Sequence, residues 1–241
     1  MYKRRNVSLI FPAFNEELNI EKAIKEFKNL KVIDEIIVVD NNSTDSTPLL
    51  AKKNNIILLK EKKQGFGFSL RKGISKATGD IVILCEPDGT FESKDVFRLL
   101  PFTNKFQVVL GSRTNPKYID KDSNMGFLIR IGNVYVAKLL QFLYRTPPLS
   151  DCGCTFRVFD SKILKKIAPF FTVGTSHFLP ETVILASFIN ASIKEIPIHY
   201  KKRVGVSKIT GSLKKACYVG AKMLHIIVKY KLDKTTQKAI G

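Results

Sequence analysis

Residues 80–92 read DIVILCEPDGTFE. An apolar run ends abruptly in two carboxylates, Glu86 and Asp88, with a proline between them and Gly89 behind. The run predicts a buried strand at Asp80–Leu84 that opens onto a polar turn. Similar runs stand at Val7–Phe11, Glu35–Val39, Ile56–Leu59 and Gln107–Leu110. Helical spacing separates them at Glu17–Leu30, Ser46–Asn54, Gly67–Ala77 and Ser93–Leu100. Strands that are apolar throughout, alternating with helices, predict an α/β fold whose mainly parallel sheet is covered on both faces. The strand ends read PAFNEE, DNNSTDST, KEKKQGFG, CEPDGT and GSRT. Ligands of open α/β sheets bind outside the carboxyl ends of the strands, so these polar loops line the expected crevice. No GxGxxG follows the first strand, which counts against a dinucleotide site.

The second half reads differently. Residues 115–127 are polar and loop-like. An amphipathic helix is expected at Phe127–Leu143, a strand at Thr155–Phe159 and helices at Ser161–Ile167 and His177–Phe188. A strand at Ser192–Pro197 precedes the basic loop HYKKRVGVSKITGS and a last helix at Leu213–Tyr230.

The chain has 241 residues, 44% apolar and 25% charged, a globular composition for one large domain. Its 40 Lys and Arg against 21 Asp and Glu give a net charge of +19, which favours phosphorylated ligands, anionic lipid or nucleic acid. Nucleic acid is the weakest of these, because no basic motif interleaved with aromatic residues and no helix-turn-helix pattern is present. Cys85, Cys152, Cys154 and Cys217 lack zinc-site spacing and read as reduced structural thiols. The apolar stretch after MYKRRN is too short for a signal peptide. No stretch is expected to reach the roughly 18 apolar residues of a membrane span, because Arg130, Lys138, His225 and Lys229 interrupt the longest ones. A soluble or peripheral protein on the cytoplasmic face of a membrane is the expectation.

The acids and bases suggest one chemistry. Asp40, Glu86 and Asp88 follow strands expected to be neighbours, and an ExD pair offers hard oxygen ligands to a divalent cation such as Mg²⁺. Arg113 ends GSR, and Arg203 and Lys208 lie in RVGVSK, where cations would neutralise a diphosphate.

From Val7 to Lys208 the chain resembles the family 2 glycosyltransferases of GT-A fold. It is most similar to their dolichol-phosphate mannose synthase-like, polyprenyl-phosphate branch. FPAFNEELNI, IIVVDNNSTDST, KKQGFGFSLRKG, CEPDGT, GSR, IRIGN, DCGCTFRVF and RVGVSK stand in the family's order. The resemblance implies that Pro12, Phe14 and Glu16 line the nucleotide and that Asp40 contacts its base or ribose, with Asn42 and Gly65 in the adjoining donor loops. It implies that Glu86 and Asp88 handle Mg²⁺ or Mn²⁺, that Arg113, Arg203 and Lys208 contact phosphates, and that Arg130 receives the acceptor phosphate. The implied reaction is inverting transfer from a nucleotide sugar to a polyprenyl phosphate, whose oxyanion needs no strong base. The implied organisation is a catalytic domain over 1–212, with a nucleotide half at 1–114 and an acceptor half at 115–212. A C-terminal amphipathic helix and tail follow at 213–241.

Three features depart from the pattern. Glu86 replaces the usual first aspartate, Thr90 stands where a glutamine ligand is common, and QxxRW is absent, which argues against a polysaccharide synthase. With a hydroxyl acceptor instead, Glu181 in GTSHFLPETVILA is the candidate general base, with His177 one helical turn away. Phe127–Tyr144 and Leu213–Lys231 are apolar-faced and basic, and suit either core helices or a peripheral membrane contact near Arg130.

Overall fold

β1 (Val7–Ala13) pairs in parallel with β2 (Glu35–Asp40) on one side and β4 (Ile81–Leu84) on the other. The computed structural model describes residues 1–123, 125–205 and 213–240. With β3 (Ile57–Lys60), β5 (Val108–Ser112), β6 (Arg157–Asp160) and β7 (Ile193–Pro197), the strands form one sheet ordered β3-β2-β1-β4-β6-β5-β7. The chain leaves β1 toward β2 and β3 and returns to place β4 on the other side. That reversal opens a crevice at the carboxyl ends of β1 and β4.

Side chains alternate across the sheet, which explains why its central strands carry no polar face. Ile10, Ile37, Val39, Val82 and Leu84 point to the layer that holds α3 (Phe66–Ile74), α5 (Phe127–Tyr144), α7 (Phe178–Phe188) and α8 (Leu213–Leu232). Leu9, Phe11, Ile36, Val38, Ile81 and Ile83 point to the opposite layer, with α1 (Ile20–Lys28) and α2 (Thr47–Lys52).

Several expectations shift. β6 starts two residues later than predicted and runs antiparallel to both β4 and β5, so the sheet is mixed. β3 is an edge strand with both end residues exposed, not a fully buried one. The helix expected over Ser93–Leu100 is a broken one, with a single α-helical turn, α4 (Val96–Leu99), between two 3₁₀ segments. After α6 (Ser161–Ile167), α7 and α8, a further short helix, α9 (Lys234–Ile240), closes the described chain.

α5 corrects the expectation that no segment is long and apolar enough to cross a membrane. Its 18 residues have a mean hydropathy of 1.2, enough by length and composition. Val136, Ala137 and Leu140 face the core, while Phe127, Leu128, Ile131, Tyr135 and Phe142 are exposed. α8 is pinned alongside by its second half. The Tyr144 hydroxyl donates to the Ile227 carbonyl at 2.6 Å, and Lys231 Nζ donates to the Leu143 carbonyl at 2.8 Å.

Candidate active site

One cavity of about 680 Å³ opens at the β1/β4 reversal. Pro12, Phe14 and Glu16 reach it from the end of β1, Glu86 and Asp88 from the end of β4, Arg113 from beyond β5, and Arg203 from the segment after β7. The antiparallel course of β6 supplies one further wall. Leu84 pairs with Arg157, so the residues before β6 lie beside those after β4, and the Thr155 hydroxyl donates to Glu86 Oε1 at 2.5 Å.

The two acids are held differently. Asp88 is 3% exposed, and its Oδ1 accepts from the Thr90 main-chain N–H at 3.0 Å and hydroxyl at 2.6 Å. Gly89 follows at a φ of +79°, a left-handed conformation that glycine adopts without strain. Thr90 therefore orients Asp88. Glu86 keeps 30% of its side chain exposed. Burial of its carboxyl and the neighbouring Asp88 push its pKa up to about 7, against the opposing pull of Thr155, Arg203 and Arg113.

Two arginines answer these acids. Arg203 Nη1 donates to Asp88 Oδ2 at 2.8 Å and stands 4.0 Å from Glu86 Oε2, and its Nη2 donates to Glu16 Oε1. Burial alone would weaken the Arg203 charge. The carboxylates of Asp88, Glu16 and Glu86 outweigh that and hold its pKa above the usual range. Arg113 lies over the Tyr200 ring at 5.4 Å and donates from Nε and Nη2 to Asp151 at 2.8 and 3.0 Å.

The carboxylates of Glu86 and Asp88 fit a hard divalent cation that completes its shell with diphosphate oxygens. Among the described residues no group of three or more His, Cys, Asp or Glu side chains gathers as a full metal cage. The pair thus suits a cation shared with a substrate, not one caged by protein alone.

The remaining expected residues separate. Asp40, Asn42 and Gly65 are not among the residues that line the cavity. Asp40 Oδ1 accepts from the Ser43 N–H at 3.1 Å, and Asn42 Nδ2 donates to the Lys62 carbonyl at 2.9 Å. Gly65 donates its N–H to Asn41 Oδ1 at 2.7 Å, and a Cβ on it would stand 2.3 Å from the Gly174 carbonyl oxygen. Asn41 and Gln64 line the cavity in their place. Arg130 packs over the Phe127 ring at 5.6 Å, while its neighbour Ile129 faces the cavity. Lys208 lies outside the described residues.

Glu181 is a correction. It is 0% exposed and does not line the cavity. Its carboxylate accepts from the Thr172 N–H and hydroxyl, the Val173 N–H and the Tyr230 hydroxyl, which ties α7 to α8. A group so enclosed cannot take a proton from an acceptor in the crevice. His177, its proposed companion, bonds Thr175 through Nδ1 at 2.7 Å.

The sequence reading missed Asp151, Thr155 and Arg157. All three sit in DCGCTFRVF, a stretch that the family resemblance had marked without assigning a role to any of its residues. Arg157 is fully buried and donates to the carbonyls of Cys152, Cys154 and Leu179, which fixes the loop bearing Gly153 and Thr155.

The same cavity continues into an apolar groove between α5 and α8. Gly132, Tyr135 and Val136 line one side, and Val219, Gly220 and Met223 the other. A Cβ on Gly132 or Gly220 would meet nothing within 4 Å. Polar crevice and apolar groove are thus one continuous space.

Comparison with known proteins places the chain. The description "Glycosyl transferase family 2" matches residues 8–168. A dolichyl-phosphate beta-glucosyltransferase of Dictyostelium discoideum is 27% identical over 80% of this chain, which covers 66% of that protein's length. Another, from Trichomonas vaginalis, is 25% identical over 94% of this chain and 74% of its own. Among solved structures, glucosyl-3-phosphoglycerate synthase from Mycobacterium tuberculosis, in complex with Mn²⁺, uridine diphosphate and phosphoglyceric acid, superposes with a TM-score of 0.74. It is 17% identical and the match covers 95% of this chain and 79% of that one, a likeness of GT-A fold.

Proposed function

We propose that this chain, which belongs to glycosyl transferase family 2, moves a sugar with inversion from a nucleotide sugar to the phosphate of a polyprenyl phosphate. The observation that carries the acceptor is the continuity of the cavity, from the carboxylates of Glu86 and Asp88 into the apolar groove between α5 and α8. A soluble sugar or phosphoglycerate would leave that groove without a use. The dolichyl-phosphate relatives support the same reading.

The acceptor phosphate oxygen attacks the anomeric carbon on the face opposite the nucleoside diphosphate. One carbon–oxygen bond forms as the bond to the diphosphate breaks. The nucleophile is already an anion, so a buried Glu181 costs the reaction nothing. Pro12, Phe14, Asn41 and Gln64 hold the nucleotide, and Asp40, Asn42 and Gly65 brace the loops that carry them. Arg113 and Arg203 neutralise phosphate oxygens, with Lys208 in the same role. Mg²⁺ or Mn²⁺ on Glu86 and Asp88, when bound, stabilises charge on the leaving diphosphate. Arg130, beside the lining residue Ile129, meets the acceptor phosphate as it enters.

The exposed apolar turn of α5 at Phe127, Leu128 and Ile131 rests on a membrane surface, with Tyr218 and Leu232 of α8 also exposed and the +19 charge drawing anionic lipid. The domain expected over 1–212 and α8 together thus deliver the groove to the lipid that bears the acceptor.

The test incubates the full chain with a panel of nucleotide sugars, Mn²⁺ and polyprenyl phosphate in vesicles, with 3-phosphoglycerate in parallel. A lipid-linked sugar with one donor is expected. Absence of lipid product with every donor, or transfer to phosphoglycerate alone, overturns the acceptor.

A further inference from the structure

We infer that Arg203 is a resident counter-cation: it fills the seat between Glu16, Glu86 and Asp88 until a nucleoside diphosphate draws it off, so that divalent cation and nucleotide bind as a coupled pair. The inference rests on the reading that Glu86 and Asp88 receive the metal.

The guanidinium is placed as a cation among three carboxylates. Nη1 meets Asp88 Oδ2 at 2.8 Å and lies 4.0 Å from Glu86 Oε2, while Nη2 meets Glu16. Thr90 takes Asp88 Oδ1, so the oxygen left for a metal, Oδ2, is the one Arg203 occupies. Both cations cannot use it at once, because their charges repel in a half-buried site with little screening.

Arg203 is not fully satisfied there. Its Nε is buried and donates to no acceptor. A side chain built only as a scaffold would be expected to spend that donor. Arg157, elsewhere in the chain, uses all three of its guanidinium nitrogens. A diphosphate offers several oxygens to a guanidinium fork, including one for Nε. The backbone that carries Arg203 is fastened to the acid loop: Lys201 N–H donates to the Thr90 carbonyl at 2.8 Å, Val204 N–H to the Asp88 carbonyl at 3.4 Å, and Asn19 Nδ2 to the Val204 carbonyl at 3.1 Å. The side chain can therefore turn from the carboxylates toward the cavity, which it already lines, without its backbone leaving. An empty enzyme then keeps its acids neutralised, and a loaded one exchanges Arg203 for the metal that arrives with the diphosphate.

Equilibrium Mn²⁺ binding, read by electron paramagnetic resonance on the full chain, tests this without turnover. Without nucleotide, Arg203→Gln should bind Mn²⁺ about tenfold tighter than the unaltered protein. Arg203→Lys keeps the charge but cannot span Glu16 and Asp88, and should bind about threefold tighter. Lys202→Gln removes an equal charge from an exposed neighbour and should shift affinity less than about twofold. Adding Asp88→Asn to Arg203→Gln should abolish the gain. With UDP or GDP present, the rise in Mn²⁺ affinity should be smaller in Arg203→Gln than in the unaltered protein. Should Arg203→Gln fail to fold, Arg203→Lys carries the comparison. Mn²⁺ affinity unchanged in both Arg203 variants, matched by Lys202→Gln, or retained with Asp88→Asn overturns the inference. A missing lipid-linked product would leave these affinities as they are and would count against the acceptor alone.

Discussion

Arg113 and Asp151, 38 residues apart in the chain, meet in a two-pronged ion pair, with Nε to Oδ2 at 2.8 Å and Nη2 to Oδ1 at 3.0 Å. The Arg113 main-chain N–H adds a third bond to the same carboxylate at 3.0 Å. Asp151 is fully buried, so the pair fixes the guanidinium that faces the cavity and ties β5 to the loop before β6.

Burial by itself would raise the Asp151 carboxyl, but the Arg113 guanidinium outweighs it and holds the group below its ordinary value of 3.8. A carboxylate depressed in the native state contributes stability that is full above that ordinary value and is lost as pH falls through the lower native one. Asp151→Asn should therefore cost about 3–5 kcal/mol near neutral pH, since it leaves Arg113 buried and unpaired. Urea unfolding at a series of pH values should show a constant gap to the unaltered protein at and above about pH 5, and a narrowing gap below 3.8. A gap independent of pH down to the acid limb would contradict the assignment.

Glu181→Gln separates scaffold from base. The amide would set its own N–H group against donors that Glu181 now accepts from, at a cost of about 1–3 kcal/mol in stability. The folded fraction should keep its turnover within about threefold, whereas loss of a general base costs on the order of 10² or more. Thermal unfolding and kcat measured on one preparation check both halves.

Asp88→Asn should reduce transfer more than Glu86→Gln. Asp88 is oriented by two bonds from Thr90, while Glu86 is partly exposed and answers to Thr155. A loss of about 10² or more in kcat is expected for Asp88→Asn at saturating donor. Equal losses would give the glutamate an equal share.

Gly220→Trp should fill the groove between α5 and α8. Transfer to a long-chain polyprenyl phosphate should fall about tenfold or more in kcat/KM, while a short-chain alkyl phosphate and UDP or GDP binding stay within about twofold. Uniform loss with both acceptors would point to misfolding in place of occlusion.

The sheet was legible because its central strands bury both faces, so Leu9 and Ile10 or Ile36 and Ile37 announce themselves as continuous apolar runs. Direction was not: a four-residue strand such as RVFD reads alike both ways, and the reversal of β6 comes from its partners. The crevice acids were legible because strand ends and a tight turn leave a local signature. The Arg113–Asp151 pair was not, since the partners meet only once β5 and β6 are side by side. Glu181 shows the converse. Its place in the chain suited a base, but burial is decided by Tyr230, 49 residues away. Asn41 displaced Asp40 from the cavity wall because the chain turns as β2 ends, and one residue of offset exchanges the face a side chain meets.

β5 and β6 are antiparallel neighbours, with Leu110 opposite Arg157. Everything from Arg113 to Phe156, including α5, is thus a closed excursion that leaves the sheet from β5 and rejoins it at its neighbour β6. Closure entropy grows only slowly with loop length, so such an excursion can be lengthened, shortened or exchanged without re-registering a strand. On the proposed reading, chimaeras joined at Ser112 and Arg157 would exchange the α5 wall of the groove while leaving α8 and the acids of β4 in place.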